Sequence, residues 1–305
     1  MPAWAQNLKS WLGRAGAGFD HAHKTATPVQ ETVPVPRWIN THGVNFAVGN
    51  GPADYGAFWS SFGAGTWEPE TLGLMDRLLR PGAHFVDIGA WIGPTALYAA
   101  AKGAAVDAYE CDPVALDRLK YNISVNPALK PRIEVHEFAI GDAERELQVW
   151  SGQLGNSETS VFSSHEREGV VTACSESVLV RMRDAAQVFQ ERGYAQAPST
   201  LVKIDTEGAE FRIVPRLAEI IAGSRAVWYI SFHELNINVA SVPAKFARIA
   251  EMLRALMVFS NLNWYGPDLT ALDKTATLDA VLHGTWPPHG SLVFSSQSLP
   301  AMTAG

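Results

Sequence analysis

Charged residues and cysteines are scarce in this sequence of 305 residues, and both scarcities exclude classes of protein. Asp, Glu, Lys and Arg make up 18% of the chain, while apolar residues make up 47%. That balance excludes an intrinsically disordered chain and predicts a large buried core. The cysteines are Cys111 and Cys174, too few for a disulfide framework and without the spacing of a zinc site. Such cysteine usage predicts a cytosolic setting.

Long apolar runs and blocks of positive charge are also missing. No stretch reaches the roughly 18–20 apolar residues that a membrane span requires, and the first residues lack the apolar core of a signal peptide. We therefore expect a cytoplasmic protein with no membrane partner. The 24 Lys and Arg residues stand against 31 Asp and Glu, for a net charge of −7. Without a dense basic segment, a small polar molecule is a better expected partner than nucleic acid.

Composition divides the chain into four segments. Residues 1–36 are interpreted as an N-terminal arm and linker, with a packing arm for a homodimer as the alternative. Residues 37–65, rich in glycine and aromatic residues, are interpreted as an irregular cap segment that packs over a neighbouring surface. Residues 66–297 form the predicted main domain, and 298–305 a C-terminal tail. A chain of this length is more consistent with one large domain plus additional segments than with two domains of equal size.

Strand and helix patterns alternate through the main domain. Helices are predicted over 95–102, 114–122, 209–221 and 244–256, and segments 146–150 and 178–181 look like a small antiparallel insertion. Strands separated by helices predict right-handed βαβ units, and hence a Rossmann-like, mainly parallel α/β sheet with helices on both faces. The predicted strands of this seven-stranded sheet are 84–88, 105–109, 133–138, 201–204, 227–232, 257–262 and 292–295.

The end of the first strand carries an acidic residue and a glycine turn. Asp87 precedes Gly89, and a second glycine, Gly93, follows four residues later. This spacing departs from the dinucleotide pattern G-x-G-x-x-G. A carboxylate at this position would repel a pyrophosphate but would suit an amine, which favours S-adenosylmethionine over a nicotinamide cofactor. The alternative is that Asp87 only caps the neighbouring turn.

The end of the second strand carries another acidic residue. Glu110 follows Gly89 by 21 residues, near the position at which a carboxylate binds a ribose diol. Asp112 and Pro113 fit the cap and first turn of the next helix, so Asp112 is interpreted as structural. Because no capping role is evident for Glu110, we interpret it as a ligand-binding residue.

Two sequence blocks together resemble the FkbM family of S-adenosylmethionine-dependent methyltransferases. The run from Lys203 to Glu210 is similar to that family's K-I-D-x-E-G-A-E block, and the run from Val86 to Gly93 is similar to its V-D-x-G-A-x-x-G block. The resemblance covers about residues 66–235, and Trp91 departs from it, since the family usually has Asn or another polar residue there. Further matches are Glu110-x-Asp112-Pro113, Asn122-x-x-x-Asn126 and Ala139-Ile140-Gly141-Asp142.

The resemblance implies the class I methyltransferase fold and transfer of a methyl group from S-adenosylmethionine. The acceptor it implies is usually a hydroxyl of a sugar or natural product. The expected cofactor contacts are Glu68, Asp87, Gly89, Ala90, Trp91, Gly93, Glu110, Cys111, Ala139 and Asp205.

A hydroxyl acceptor needs a base, and the ends of the fourth and fifth strands offer candidates. Asp205, Glu207 and His233 are the expected catalytic residues, with Asp205 or His233 as the base. Asn156, Ser157 and Glu234 are the expected substrate contacts. Two alternatives remain: the carboxylates with His233 could hold a divalent metal, the less favoured hypothesis, or Lys203 could form a structural ion pair with Asp205 or Glu210.

Two other kinds of protein remain as rival interpretations. A non-catalytic partner protein would bind S-adenosylmethionine without transferring its methyl group. A nicotinamide-dependent oxidoreductase is disfavoured by the missing glycine pattern and by Asp87. A nucleic-acid methyltransferase is disfavoured by the acidic charge and by the lack of an N/D-P-P-Y/F block after the fourth strand.

Overall fold

A computed structural model describes residues 35–49, 55–161, 164–167, 170–233, 244–286 and 289–299. The predicted arm 1–36 therefore lies outside the described residues except for its last two positions, and Glu234 lies outside them as well. Within the described ranges, no helix is long and apolar enough to cross a lipid bilayer.

Strands and helices alternate along most of the described chain. The strands are β1 (Arg37–Thr41), β2 (Val44–Val48), β3 (His84–Ile88), β4 (Ala105–Tyr109), β5 (Ile133–His136), β6 (Ala139–Gly141), β7 (Arg145–Ser151), β8 (Ser164–Arg167), β9 (Val170–Ala173), β10 (Glu176–Asp184), β11 (Thr200–Ile204), β12 (Val227–His233), β13 (Asn263–Tyr265) and β14 (His289–Ser295). The helices are α1 (Gly56–Gly63), α2 (Pro69–Leu78), α3 (Pro94–Ala101), α4 (Pro113–Ser124), α5 (Ala185–Arg192), α6 (Glu210–Arg216), α7 (Ala218–Ala222), α8 (Ala244–Val258) and α9 (Lys274–His283).

Seven strands form the central sheet in the order β13-β14-β12-β11-β3-β4-β5. The pairs from β12 to β5 are all parallel, and β14 runs antiparallel to both of its neighbours. This arrangement confirms the predicted Rossmann-like, mainly parallel sheet of seven strands. The chain order reverses between β3 and β11, and the carboxyl ends of these two strands are where ligands bind in sheets of this kind. The antiparallel pairing of β7 with β10 confirms the predicted insertion.

Local sequence signals account for the helices beside this edge. Pro94 begins α3, where its missing N–H costs nothing, and the alanine-rich turns that follow are buried. Asp112 caps α4, because its side chain accepts hydrogen bonds from the backbone N–H groups of Val114 and Ala115. The structural interpretation of Asp112 is confirmed.

The segment predicted to be irregular, 37–65, is mostly regular in its described parts, 37–49 and 55–65. It forms the β1–β2 hairpin and α1, and their aromatic residues Phe46, Trp59 and Phe62 belong to the core. Asn122 on α4 and Asn126 just past its end fasten the hairpin: Asn126 Oδ1 accepts Ala47 N–H, and Asn122 Oδ1 accepts Gly49 N–H. These bonds span more than 70 residues of sequence, so local periodicity does not reveal them.

Two predictions in the C-terminal half were wrong in detail, and one helix was not predicted. Segment 257–262 was expected to be a strand, but α8 continues to Val258 and the strand follows at Asn263. Met252, Ala255, Leu256 and Phe259 are all buried, which is helical spacing continued through the expected strand. The helix expected over 209–221 contains Pro215 and is two helices, α6 and α7. Helix α9 had no predicted counterpart.

Candidate active site

The turn after β3 brings the ends of two central strands into contact. Gly89 has φ +85°, and a Cβ at this position would lie 1.9 Å from the carbonyl oxygen of Asp205, just past β11. Only glycine combines this left-handed backbone with such a close approach. The backbones of residues 89 and 205 therefore lie in close contact at the centre of the carboxyl edge. Their positions at the ends of two predicted strands place both residues at this edge.

Asp87 is fully buried beneath this turn. Its Oδ2 accepts a hydrogen bond from Thr95 Oγ1 at 2.6 Å, which ties β3 to α3. Its Oδ1 accepts no hydrogen bond and lies 3.4 Å from Lys203 Nζ. Burial raises the pKa of Asp87, and the charge of Lys203 opposes that shift. The partner of this second oxygen is therefore the Lys203 ammonium.

Lys203 forms ion pairs with two aspartates beneath the turn. Its Nζ lies 3.0 Å from Asp205 Oδ2 as well as 3.4 Å from Asp87, and the residue is buried. Burial disfavours the charged ammonium, but Asp205 and Asp87 outweigh burial and keep the pKa of Lys203 above its usual range. The structural ion pair expected from the sequence is present, and its partners are these two aspartates.

His233, at the end of β12, lies among three carboxylates. Its Nδ1 is 3.1 Å from Glu210 Oε1, and its Nε2 is 3.6 Å from both Asp205 Oδ1 and Glu207 Oε1. Burial disfavours the imidazolium, but Glu210 and Glu207 outweigh it and raise the pKa of His233 to about 10. The carboxylates therefore favour the protonated form of His233 near neutral pH.

Glu210 is a positioning residue that the sequence suggested as a partner for Lys203. It is fully buried, and its Oε1 accepts the backbone N–H of His233 at 2.6 Å. Its Oε2 accepts the N–H of Gly208 at 2.9 Å. Glu210 thus fixes both the ring of His233 and the turn that carries Glu207. Among the two alternatives for Lys203, the structure favours Asp205.

Glu110 has a structural role that the sequence did not indicate. Its Oε2 accepts the backbone N–H of Trp91, and its Oε1 accepts those of Cys111 and Asp112, all at 2.7 Å. Burial raises the pKa of Glu110 to about 7, although these three hydrogen bonds oppose the shift. The carboxylate braces the turns after β3 and β4 at the position where ribose binding is predicted.

Glu68 is held in an unfavourable backbone conformation at the start of α2. Its φ is 37°, and its side chain makes no capping bond. The residue as a whole is exposed, yet its Oε2 accepts a hydrogen bond from Thr71 Oγ1 at 2.9 Å, and Thr71 in turn contacts the hydroxyl of Tyr229. Desolvation is the largest cause that raises the pKa of Glu68 to about 7, and the charge of Asp205 is the next. The charge of Lys203 acts in the opposite direction and lowers this pKa.

Two adjoining cavities open along the carboxyl edge, a narrow one of about 90 Å³ and a wide one of about 570 Å³. The narrow cavity is mainly apolar and includes four predicted site residues besides the shared ones: Glu110, Cys111, Ala139 and Asn156. The wide cavity includes Glu68, Ala90 and His233. The two linings share Gly89, Trp91, Ser157, Asp205 and Glu207.

Two predicted cofactor residues line neither cavity. Asp87 lies beneath the turn, and Gly93 packs against α4, where a Cβ would lie 2.6 Å from Leu119 Cδ1. The wide cavity also contains residues that the sequence did not single out as a group. Its wall includes the aromatic rings of Phe58 and Trp67 and the hydroxyls of Tyr229, Ser231 and Ser291.

The donor atoms of Asp205, Glu207 and His233 lie within 4.8 Å of one another. Residue types and spacing suit a divalent ion in principle. However, a metal ligand must be neutral imidazole, and the neighbouring carboxylates stabilise the protonated ring. The carboxylates that raise this pKa would also attract a divalent ion, so a metal and a proton would compete for the ring.

Comparisons with known proteins give distant likenesses. No protein-family model and no curated protein matches the chain. Among solved structures, a TehB-like SAM-dependent methyltransferase from Corynebacterium glutamicum shares 14% identity, with a TM-score of 0.39 over 80% of this chain and 96% of that one. Methyltransferase FkbM from Methylobacillus flagellatus shares 16%, with a TM-score of 0.38 over 77% of this chain and 53% of that one. An O-methyltransferase from Bacillus cereus in complex with SAH shares 14%, with a TM-score of 0.40 over 74% and 80%. Similarities this distant assign neither a family nor an activity.

Proposed function

We propose that this chain is an S-adenosylmethionine-dependent methyltransferase that methylates a hydroxyl group of a small sugar-like or natural-product acceptor. The observation that carries the proposal is the junction of the two cavities at Gly89, Asp205 and Glu207. A cofactor in the narrow cavity and an acceptor in the wide one would meet at this junction. The junction lies at the strand switch point, where ligands bind in open α/β sheets.

The residues around the narrow cavity fit the proposed cofactor. Apolar residues such as Ile140 and Ala115 suit a purine ring, and Glu110 suits the ribose diol. The close approach of the backbone at Gly89 suits a ligand group held against the turn. When bound, S-adenosylmethionine supplies an activated methyl group on a positively charged sulfur.

Glu68 is the best candidate for the base in the wide cavity. A base is most effective when its pKa lies near the working pH, and that of Glu68 is about 7. In the proposed step, the Glu68 carboxylate takes the proton of the acceptor hydroxyl as that oxygen bonds to the methyl carbon. The carbon–sulfur bond breaks with its electron pair on sulfur, which yields a methyl ether and S-adenosylhomocysteine.

Asp205, Glu207 and His233 are assigned supporting roles in this proposal. His233 keeps its proton, and the carboxylates of Asp205 and Glu207 face both His233 and the junction. Their negative charge favours a cationic sulfur beside them. The aromatic rings and hydroxyls of the wide cavity suit an acceptor with several hydroxyl groups, whose ring faces can stack on Trp67.

Cofactor binding is the first experiment, with S-adenosylhomocysteine titrated into the protein by isothermal calorimetry. We expect binding to the wild-type protein and at least tenfold weaker binding to Glu110→Gln, because charged hydrogen bonds to the ribose are lost. Glu219→Gln, on the exposed surface of α7, is the matched control and should bind as wild type does. Absence of binding to the wild-type protein would refute the proposed cofactor.

Methyl transfer is the second experiment, with radiolabelled S-adenosylmethionine and a library of sugars and hydroxylated natural products. Label should appear in a hydroxylated acceptor with wild-type protein and fall sharply with Glu68→Gln. A protein that binds the cofactor but labels no member of the library would instead fit the non-catalytic alternative.

A further inference from the structure

Three hydrogen bonds at one peptide group help to hold a loop over the narrow cavity. The carbonyl oxygen of Gly155 accepts hydrogen bonds from Tyr55 Oη and from Trp91 Nε1, both at 2.7 Å. The N–H of Gly155 donates to Asp112 Oδ2 at 2.7 Å. Tyr55, Trp91, Asp112 and Gly155 are called the Gly155 clasp. Gly155 is buried, so its two polar groups depend on these protein partners.

The clasp requires glycine at position 155. Its φ is +89°, and a Cβ would lie 2.6 Å from Val114 Cγ1 and 2.8 Å from Tyr55 Oη. The rings of Tyr55 and Trp91 meet edge to face, 5.3 Å apart, which holds both donors toward the same carbonyl. The loop therefore packs closely against the rest of the molecule at Gly155.

The same loop is tied down on its far side. Thr159 Oγ1 donates to Asp112 Oδ2 at 2.7 Å, and the hydroxyl of Ser160 donates to the carbonyl of Glu207. Residues 151–161 thus bridge the turns that follow β4 and β11. These are the turns from which the narrow cavity is built.

The closed loop leaves little room beneath it. The narrow cavity measures about 90 Å³, whereas ligand pockets are typically about 300–1,000 Å³. The lining therefore has to adjust around a bound nucleoside, and the loop contributes five residues to it: Asn156, Ser157, Thr159, Ser160 and Val161. Trp91 also links the loop to the proposed ribose site, because its backbone N–H donates to Glu110 Oε2.

We propose that Tyr55 and Trp91 are positioning residues that hold the 151–161 loop closed over the nucleoside half of the cofactor, so that cofactor release requires the Gly155 clasp to open. The inference rests on the proposed function for the identity of the cofactor. It assigns a role to Trp91, whose indole stands where the FkbM family usually has Asn or another polar residue.

The test measures S-adenosylhomocysteine dissociation by surface plasmon resonance on the full chain. Tyr55→Phe and Trp91→Phe each remove one donor and keep an aromatic ring, and we expect each to raise the dissociation rate two- to fivefold, on the order of one hydrogen bond. The double variant should raise it about tenfold or more, beyond the product of the single effects, because the Gly155 carbonyl then has no donor. Association rates should not fall. Tyr121→Phe, on α4, is the control and should match wild type.

Hydrogen exchange of the ligand-free protein provides a second measurement. The double variant should speed amide exchange in 151–161 while β3 and β11 keep their wild-type protection, which also shows that the variant is folded. Wild-type exchange in the loop, or wild-type dissociation of S-adenosylhomocysteine from the double variant, would overturn the clasp. Wild-type protein that binds no S-adenosylhomocysteine would overturn the proposed function, and the exchange measurement would still decide whether the clasp holds the loop.

Discussion

His233 shows how strongly one residue depends on its surroundings. As a lone histidine at a strand end it is an ordinary candidate base. Surrounded by Glu210, Glu207 and Asp205, it is an imidazolium that binds these carboxylates together. The folded protein holds the proton of His233 more tightly than the unfolded chain does. The contribution of this proton to stability therefore decreases as the pH rises.

The first prediction concerns the stability that this proton provides. The pKa of His233 is about 10 in the folded protein against 6.5 for an ordinary histidine, so the contribution is complete below pH 6.5 and is lost as the pH rises to about 10. His233→Gln should remove about 2 kcal/mol at pH 6 and progressively less at higher pH. Urea unfolding from pH 6 to 10 measures this difference. His283→Gln, an exposed histidine on α9, is the control, and a pH-independent difference for His233→Gln would contradict the prediction.

The second prediction concerns Glu68, which ionises at about pH 7 beside the junction. S-adenosylmethionine carries one more positive charge than S-adenosylhomocysteine, so ionised Glu68 should favour the former. The ratio of their affinities should rise about fivefold between pH 6 and 8 in wild type, on the order of 1 kcal/mol of charge interaction. Calorimetric titrations of both compounds give the ratio.

Glu70→Gln is the matched control for Glu68→Gln, since both residues line the wide cavity two positions apart. The rise should disappear in Glu68→Gln and persist in Glu70→Gln. Equal behaviour of the two variants would mean that Glu68 is not the group that titrates.

Among the connecting elements, the turn after β3 shows why a glycine position can be decisive. The chain has several glycines with positive φ, but few of them lie where a side chain would collide with backbone. At Gly89 the obstruction is the carbonyl oxygen of Asp205, which cannot move without shifting β11. The turn therefore determines how closely the two halves of the sheet approach at the site.

The third prediction compares two glycines with the same backbone conformation. Gly82 has φ +86° and no atom within 4 Å of the position that a Cβ would take, whereas Gly89 has φ +85° and the Asp205 oxygen at 1.9 Å. Gly82→Ala should cost about 1 kcal/mol of unfolding free energy, from backbone strain alone. Gly89→Ala should cost about 3 kcal/mol or more and abolish cofactor binding. Thermal unfolding with calorimetry measures both, and equal losses would show that strain rather than collision dominates.

For the whole molecule, one buried aspartate connects several elements away from the cavities. Asp107, on β4, lies 2.6 Å from the Nε2 atoms of His84 and His136 and 2.5 Å from Arg192 Nη2. It thereby joins β3, β4, β5 and α5. Burial alone would raise its pKa, but the histidine hydrogen bonds and the charge of Arg192 outweigh burial and hold the pKa well below its usual range.

The fourth prediction follows from the sign of that shift. A carboxylate whose folded-state pKa is depressed stabilises the protein above its unfolded pKa of about 4, and the contribution is lost as the pH falls through the folded value. Asp107→Asn should lose about 2–4 kcal/mol at pH 7 and progressively less below pH 4. Urea unfolding between pH 3 and 7 measures the difference, with Asp117→Asn on the exposed face of α4 as control. A constant loss across this range would exclude the electrostatic explanation.

Most of the central fold could be predicted from the sequence. Strands β3, β4 and β11 and helices α3 and α4 have strong local signals: buried runs of strand length, the glycine turn at Gly89, and the caps and prolines that begin helices. The errors arose where the signal is not local. The run at 257–262 is apolar enough for a strand, but its inner residues continue the buried face of α8. The β1–β2 hairpin depends on Asn122 and Asn126, far along the chain.

By itself, the sequence determined the order of elements and the residues gathered at the carboxyl edge, among them Asp87, Gly89, Glu110 and Asp205. It could do so because periodicity and turn chemistry act over a few residues, and because strand ends of a parallel sheet share one edge.

Only the tertiary structure decided what those residues do to one another. The proton on His233, the pKa of Glu68 near 7 and the clasp at Gly155 all depend on groups brought together from distant parts of the chain. Desolvation and charge interactions depend on distance in space, which the spacing of residues along the chain does not specify.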